Sequence, residues 1–421
     1  MKKKVAVIGS GIAGLSAAYF LQNQFNVTLL ERNQYLGGHA NTQEVKDSNK
    51  NNIAIDTGFI VYNELTYPNL TKLFRKLEVA TSDSSMSFSF YNSSNHFEYG
   101  GGSLSALFAD PKNLVNWSFY RMLKDIFYFY KKFQNNNVHP NISVRQYLKT
   151  KKYSDEFIYN HLLPLISSIW SSPNSNSLDQ PLTSVISFFQ NHKLFNFLNR
   201  PQWKTVKGGS RNYINKIIQS SHFDIKTSFK IDKIIRHKGI EIFSENMKLD
   251  FDFLVLACPP HNFLPLIEDK KEIEISILNT FDFKKNLTQL HQNSTLMPPH
   301  KKAWSSWNFL ANTNNQCTLS YWMNKLQSLK TQENFFVSLN QNQRSYLYQT
   351  VYEHPIFSIN ALKSQKNIGQ IQGLNNTYYA GSYLGYGFHE DGIQSALKIC
   401  KKLKIELGQF DKADTSRIQW N

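Results

Sequence analysis

Cysteine is nearly absent. Cys258, Cys317 and Cys400 are the only three in 421 residues, odd in number and far apart. That excludes a disulfide framework and a cysteine-built zinc site, and it fits a reducing cytoplasm. The 12 histidines show no ligand-like spacing with cysteines or carboxylates, so no metal centre is expected. Acidic residues are short in supply, 31 against 47 basic ones, for a formal charge of +16. The basic residues are spread along the chain; beyond Lys2-Lys3-Lys4 at the start there is nothing denser than pairs such as Lys151–Lys152, Lys301–Lys302 and Lys401–Lys402. A nucleic-acid footprint needs clustered charge, so no nucleic-acid partner is expected. Weak peripheral attraction to an anionic inner-membrane surface stays compatible with the charge. Long apolar runs are also scarce: apart from the stretch at the start, no uncharged apolar run reaches the roughly 18 residues of a membrane helix. The start imitates a signal peptide, with Met1–Lys4 basic and Val5–Leu21 apolar. Gly9, Gly11 and Gly14 interrupt that stretch, and no small-residue cleavage site follows.

What is present is a chain long enough for two or three domains, with 41% hydrophobic residues. Aromatics make up 14%, including 31 Phe and 21 Tyr. Such side chains bury much area in a core, and the surplus can line a cavity for a large apolar ligand. Val5-Ala6-Val7-Ile8 reads as a buried parallel strand. Gly9-Ser10-Gly11-Ile12-Ala13-Gly14 follows, then a helix over Leu15–Leu21, a strand over Val27–Leu30, and Glu31. Gly9 suits the tight turn, Gly11 a close approach of backbone to a pyrophosphate, and Gly14 close helix–strand contact. Free N–H groups and the dipole at the helix start favour phosphate. Glu31, 17 residues beyond Gly14, can accept hydrogen bonds from ribose hydroxyls.

The next residues separate FAD from NAD. Glu31-Arg32-Asn33-Gln34-Tyr35-Leu36-Gly37-Gly38-His39 resembles the second signature of the FAD-dependent amine oxidase and phytoene desaturase superfamily. Most members carry Arg where this chain has His39. Asp56-Thr57-Gly58-Phe59-Ile60 resembles the segment beside the flavin ring; read alone, a turn or cap residue is the lesser alternative for Asp56. Thr377 to Ser382, then Gly385 to Gly392 and a helix over Ile393–Leu403, resemble the last FAD motif, where a helix start faces the flavin. Glu390 and Asp391 read as caps of that helix. Val206-Lys207-Gly208-Gly209-Ser210, a helix over Tyr213–Ile218, a strand pair within Phe223–Ile235 and a strand over Phe253–Cys258 follow the superfamily order, with Ile231 against the adenine.

The resemblance implies an α/β fold: a Rossmann-type FAD-binding domain, discontinuous over 1–80, 205–265 and 370–421, with an α+β substrate domain over 81–204 and 266–369. The cofactor contacts it implies are Gly9, Ser10, Gly11, Ile12, Ala13, Gly14, Glu31, Arg32, Gly37, Gly38, His39, Thr57, Gly58, Phe59, Ile60, Ile231, Gly381, Ser382, His389, Gly392 and Ile393. His389 is the candidate for direct chemistry; Lys301, Lys302, His291 and His300 are conceivable bases.

A closer likeness covers nearly the whole chain. Asp56 to Asn63, Ile169-Trp170-Ser171, Phe189-Gln190-Asn191-His192, Arg200-Pro201-Gln202-Trp203 through Arg211, Ala303-Trp304-Ser305-Ser306-Trp307-Asn308 and Gly385 to Gly392 resemble a bacterial branch of predicted NAD/FAD-binding oxidoreductases. These are commonly encoded beside methyltransferases of the cyclopropane-fatty-acid-synthase type. This implies a fatty-acyl or other lipid substrate, dehydrogenated by hydride transfer to flavin N5. The alternatives are an amine oxidase proper and a non-catalytic flavin-binding partner of a lipid methyltransferase. A plain NAD(P) dehydrogenase needs neither the second glycine pair nor the C-terminal motif. The helical, aromatic-rich stretch 113–200 reads chiefly as core, with a lipid-facing or cavity-lining helix as the sharper reading.

Overall fold

The computed structural model describes residues 2–134, 142–170, 178–196, 200–245, 247–311 and 317–420. Ser171 of the Ile169-Trp170-Ser171 motif lies outside them. The apolar run at the start forms the strand Lys4–Ile8 at the middle of a five-stranded parallel sheet. Its neighbours are Asn26–Leu30 on one side and Phe253–Leu256 on the other. Asp224–Lys226 and Thr377–Tyr379 form the two edges. Val5, Ala6 and Val7 are fully buried, as expected of a strand covered on both faces. The first helix, Ile12–Leu21, is buried along its whole length. It lies against the last helix, His389–Lys402, where a Cβ on Gly392 would stand 2.7 Å from Cγ2 of Ile12.

A second sheet has seven strands, in the order Tyr348–Ile356, Asp282–His291, Phe336–Leu339, Cys317–Trp322, Trp307–Ala311, Phe88–Asn92 and Phe97–Gly100. Phe88–Asn92 pairs parallel with Trp307–Ala311; the other pairs are antiparallel. Helices Trp117–Phe133, Leu163–Trp170 and Leu182–Asn191 contribute side chains to one apolar core. The helix Trp117–Phe133 buries Phe119, Met122, Ile126, Phe129, Tyr130 and Phe133, one stripe at helical spacing. That stripe joins Phe90, Tyr99, Phe157, Phe189 and Phe309 in one aromatic core. Much of the aromatic surplus is therefore core. Trp117, Phe127 and Tyr128, in contrast, face outward.

The segment Phe223–Ile235 departs from expectation. It is not a strand pair. Asp224–Lys226 joins the parallel sheet, and Lys233–Ile235 pairs with Ile240–Ser244 in a separate antiparallel sheet. Between them Ser228 takes a left-handed φ of 53°, and the chain crosses the loop after the second strand. Ser228 N–H donates to Asn33 O (2.9 Å) and Phe229 N–H to Glu31 O (2.8 Å). The last helix also starts four residues earlier than its sequence pattern suggests, at His389.

Candidate cofactor and substrate cavity

A cavity of about 1950 Å³ runs from the carboxyl ends of the parallel strands into the helical half of the molecule. Its wall includes Gly9, Ser10, Gly11, Ile12, Ala13, Glu31, Arg32, Gly37, Gly38, His39, Gly58, Phe59, Ile60, Ile231, Gly381, Ser382 and His389. These come from five separate stretches of sequence, so the fold gathers them. Gly14, Thr57, Gly392 and Ile393 do not reach the wall. Gly14 and Gly392 sit at close contacts between elements. Thr57 is buried, with its hydroxyl 2.7 Å from that of Tyr352, and Ile393 is fully buried.

At one end the two glycine motifs touch. Gly37 N–H donates to Ser10 O (3.0 Å), and a Cβ on Gly38 would come within 3.1 Å of Gly11 Cα. A Cβ on Gly11 would meet nothing within 4 Å. The backbone there is open to a ligand, and the first turn of a helix has N–H groups to offer it. Glu31 accepts from Ser10 N–H (2.9 Å), Ser10 Oγ (2.7 Å) and Asn33 N–H (2.9 Å). A carboxylate has about four acceptor positions, so this one is oriented by the protein and keeps capacity for a ribose hydroxyl. Arg32 is tied to Asn262 Oδ1 at 3.1 Å. The open turn, the helix start, the oriented acid and the second glycine pair fit a dinucleotide, FAD included.

The middle of the cavity is walled by rings. His389 lies flat on Phe59, with centroids 3.7 Å apart and 17° between planes. Its Nε2 is 3.1 Å from the Tyr213 hydroxyl. His39 stacks on Tyr352 at 4.9 Å and meets His354 edge-on at 5.2 Å. Burial pushes His39 and His389 below the ordinary histidine range, and takes His354 to about 3. These rings are therefore neutral walls, and His39 brings no positive charge where an arginine would. Asp391 caps the last helix, accepting from Phe388 N–H at 2.8 Å. Glu390 does not cap it. Its carboxyl accepts from Asn69 Nδ2 (2.7 Å) and Leu70 N–H (3.0 Å), at the start of the helix Pro68–Lys76. Asp56 is equally structural. It is fully buried and accepts from Ser210 N–H (2.8 Å), Thr42 Oγ1 (2.6 Å) and Gln327 Nε2 (3.0 Å).

At the far end Tyr130 of the aromatic-rich helix stands with two residues the sequence did not single out, Tyr99 and His161. Tyr99 Oη is 2.8 Å from His161 Nδ1, and Tyr130 Oη is 3.0 Å from His161 Nε2. Tyr99 also donates to Asn160 O at 3.0 Å. A carbonyl only accepts, so Tyr99's one proton goes there, Nδ1–H donates to Tyr99, and Tyr130 donates to bare Nε2. His161 sits on a π-helical turn, Ile158–Leu162, an irregularity that is frequent at functional sites. Burial pushes it to about 3, and the charge of Arg200 pushes the same way. Cys258 also faces the cavity, but burial raises its thiol to about 12, so it is no nucleophile. The conceivable bases Lys301, Lys302, His291 and His300 are not on the cavity wall.

Residues 7–77 match the model of a family described as an NAD(P)-binding Rossmann-like domain. A curated relative, coproporphyrinogen III oxidase of Staphylococcus aureus (strain NCTC 8325 / PS 47), is 23% identical over 297 residues. That match takes in 63% of this chain and 62% of the relative. Among solved structures, a putative protoporphyrinogen oxidase from Exiguobacterium sp. 255-15 superposes with a TM-score of 0.68 at 13% identity, over 96% of this chain and 99% of that one. A CLA-producing fatty acid isomerase from P. acnes gives 0.66 at 13% identity, over 95% and 98%. At these identities the superpositions establish the fold: a Rossmann-type α/β unit combined with a second, mixed unit.

Tyr130 belongs to the aromatic-rich helix for which a cavity-lining role is the sharper reading, and it does reach the wall; no local signal marks His161, Tyr352 or His354. Each reads as an ordinary residue of an amphipathic helix or an alternating strand, and only the tertiary fold brings it to the cavity. Among the described residues, no group of three or more His, Cys, Asp or Glu could hold a metal ion, and no helix is long and apolar enough to cross a membrane.

Proposed function

We propose that this protein is an FAD-dependent oxidoreductase that dehydrogenates a largely apolar substrate, an acyl lipid. The observation that carries this reading is the single continuous cavity. It joins the glycine turns at the helix start to a chamber lined by Phe88, Leu107, Leu123, Ile126 and Leu165. FAD bound there would supply hydride acceptance from a substrate C–H bond. The chain's own part is to bind and orient. Gly11 and the start of the first helix would hold the pyrophosphate, and Glu31 would hold the ribose. The start of the helix His389–Lys402 lies beside the ring wall formed by Phe59 and His389. The apolar chamber positions the substrate and excludes water.

A second reading, oxidation of a porphyrinogen, draws on the curated relative and on one of the similar structures. An amine oxidase proper draws on the superfamily resemblance. The test is anaerobic incubation with acyl lipids, amines and porphyrinogens, followed at the flavin bands. Bleaching by an acyl lipid is expected. Bleaching by an amine or a porphyrinogen alone would replace the substrate and keep the cofactor. No bleaching by any, with tight binding to a lipid methyltransferase, would favour the non-catalytic reading.

The same proposal places the protein against a membrane surface. Leu104, Leu114, Val115, Trp117 and Phe127 are exposed on the segment that also carries Lys112, Arg121, Lys124 and Lys131. Sedimentation with anionic vesicles at low salt, where attraction is strongest, should pull the protein down; a protein left in the supernatant would end that part.

A further inference from the structure

Lys325 stands on the cavity wall on a short, firmly held helix, Met323–Leu326. Met323 and Leu326 on either side are fully buried. Met323 N–H donates to Phe335 O (2.9 Å), and Asn324 Oδ1 accepts from Phe335 N–H (2.8 Å). The lysine is thus aimed by its neighbours. Its Nζ lies 4.0 Å from where a Cβ on Gly102 would stand, so the residue facing it adds no side chain.

Three of the other cations on this wall have a bonded or paired group, and the fourth, Lys285, has an acid as its cross-strand neighbour. Lys285 stands across the strands from Glu353, Lys230 lies 4.0 Å from Asp232, and Arg32 bonds Asn262. Arg200 donates to Asn196 O at 2.6 Å. Asp83, an acid on the same wall, is exposed and sits across the strands from Lys204. Among the described residues no carboxylate pairs with Lys325. Burial lowers its ammonium below the ordinary lysine range, and no acid offsets that. Half-burial takes part of the ammonium's hydration with no counter-ion to offset it, and a ligand that brings negative charge supplies the offset.

We infer that Lys325 receives the anionic head group of an otherwise apolar ligand. This deepens the reading of the chamber as a substrate site and rests on it. A compact ammonium suits a carboxylate or a phosphate as a point charge. An alkyl amine would meet like charge instead.

The test is calorimetric titration of the purified holoprotein with decanoate, decyl phosphate, decanol and decylamine. The expected result is at least tenfold tighter binding of an anion than of decanol. Decanoate ahead of decyl phosphate identifies a carboxylate, and the reverse order a phosphate. K325M should weaken the anions at least tenfold and leave decanol within twofold, while K325R keeps most of the preference. Should K325M not fold, K325Q is read the same way. Equal binding of decanoate and decanol by the native protein would overturn the inference. So would a variant that weakens all four probes alike, or a preference lost in R200M but kept in K325M. Failure of the flavoprotein reading would look different: the protein would be colourless, whereas head-group preference is read as heat.

Discussion

The Cβ that Gly14 lacks would stand 1.8 Å from the carbonyl oxygen of Gly9. Gly11, three residues earlier, has nothing within 4 Å of the same position, and its φ of −65° suits any residue. The two glycines therefore serve different ends. Gly14→Ala is predicted to destabilise the fold by about 3 kcal/mol or more, because a backbone oxygen must move. Gly11→Ala is predicted to leave the melting temperature of the apoprotein unchanged and to weaken FAD at least tenfold. Thermal melts and FAD titration check both. Equal loss of stability in the two variants would contradict the assignment of Gly11 to the ligand.

Tyr130→Phe removes the hydroxyl that stands 3.0 Å from His161 Nε2. A buried acceptor left without its partner costs roughly 1–3 kcal/mol. Denaturant unfolding should show a loss in that range, and Tyr99→Phe a similar one, with no change in the protein-bound FAD spectrum. A neutral outcome for both would mean that the tyrosine–histidine chain does not hold this end of the cavity.

Acid should destabilise the protein. Burial holds His161, His192 and His354 at about 3 and lowers His39 and His389 as well. Below about 6.5 the unfolded chain takes up protons that the folded chain refuses, so this stability is lost as pH falls. Burial raises Asp56 to about 6 and Glu390 to about 7, and raises Asp391 too. Those carboxyls act the other way: their stability is present below about pH 4 and is lost as pH rises towards the folded values. The histidines outnumber them. Melting temperature is predicted to fall between about pH 7 and pH 5. A higher value at pH 5 would mean that the carboxyls dominate.

The first strand, turn and helix were legible because each signal is local. A β-branched run, glycines at set offsets and an acid at the end of the next strand all fall within 31 residues. Glu390 shows where that reasoning stops. A carboxylate in the first turn of a helix reads as its own cap, yet Glu390 serves the helix Pro68–Lys76 more than 300 residues away in sequence. The strands Asp224–Lys226 and Lys233–Ile235 show the same limit, since spacing suggests a hairpin and only the sheet order separates them. His161 could not be anticipated at all, because a π-helical turn leaves no periodic trace over five residues.

The central claim is that the cavity holds FAD. The most direct test is the absorbance spectrum of the purified protein, followed by denaturation and identification of what is released. The account predicts flavin bands and free FAD. A protein that is colourless, and stays so after FAD is added, would contradict it and return the glycine turn of Gly9 to Gly14 to a nicotinamide dinucleotide.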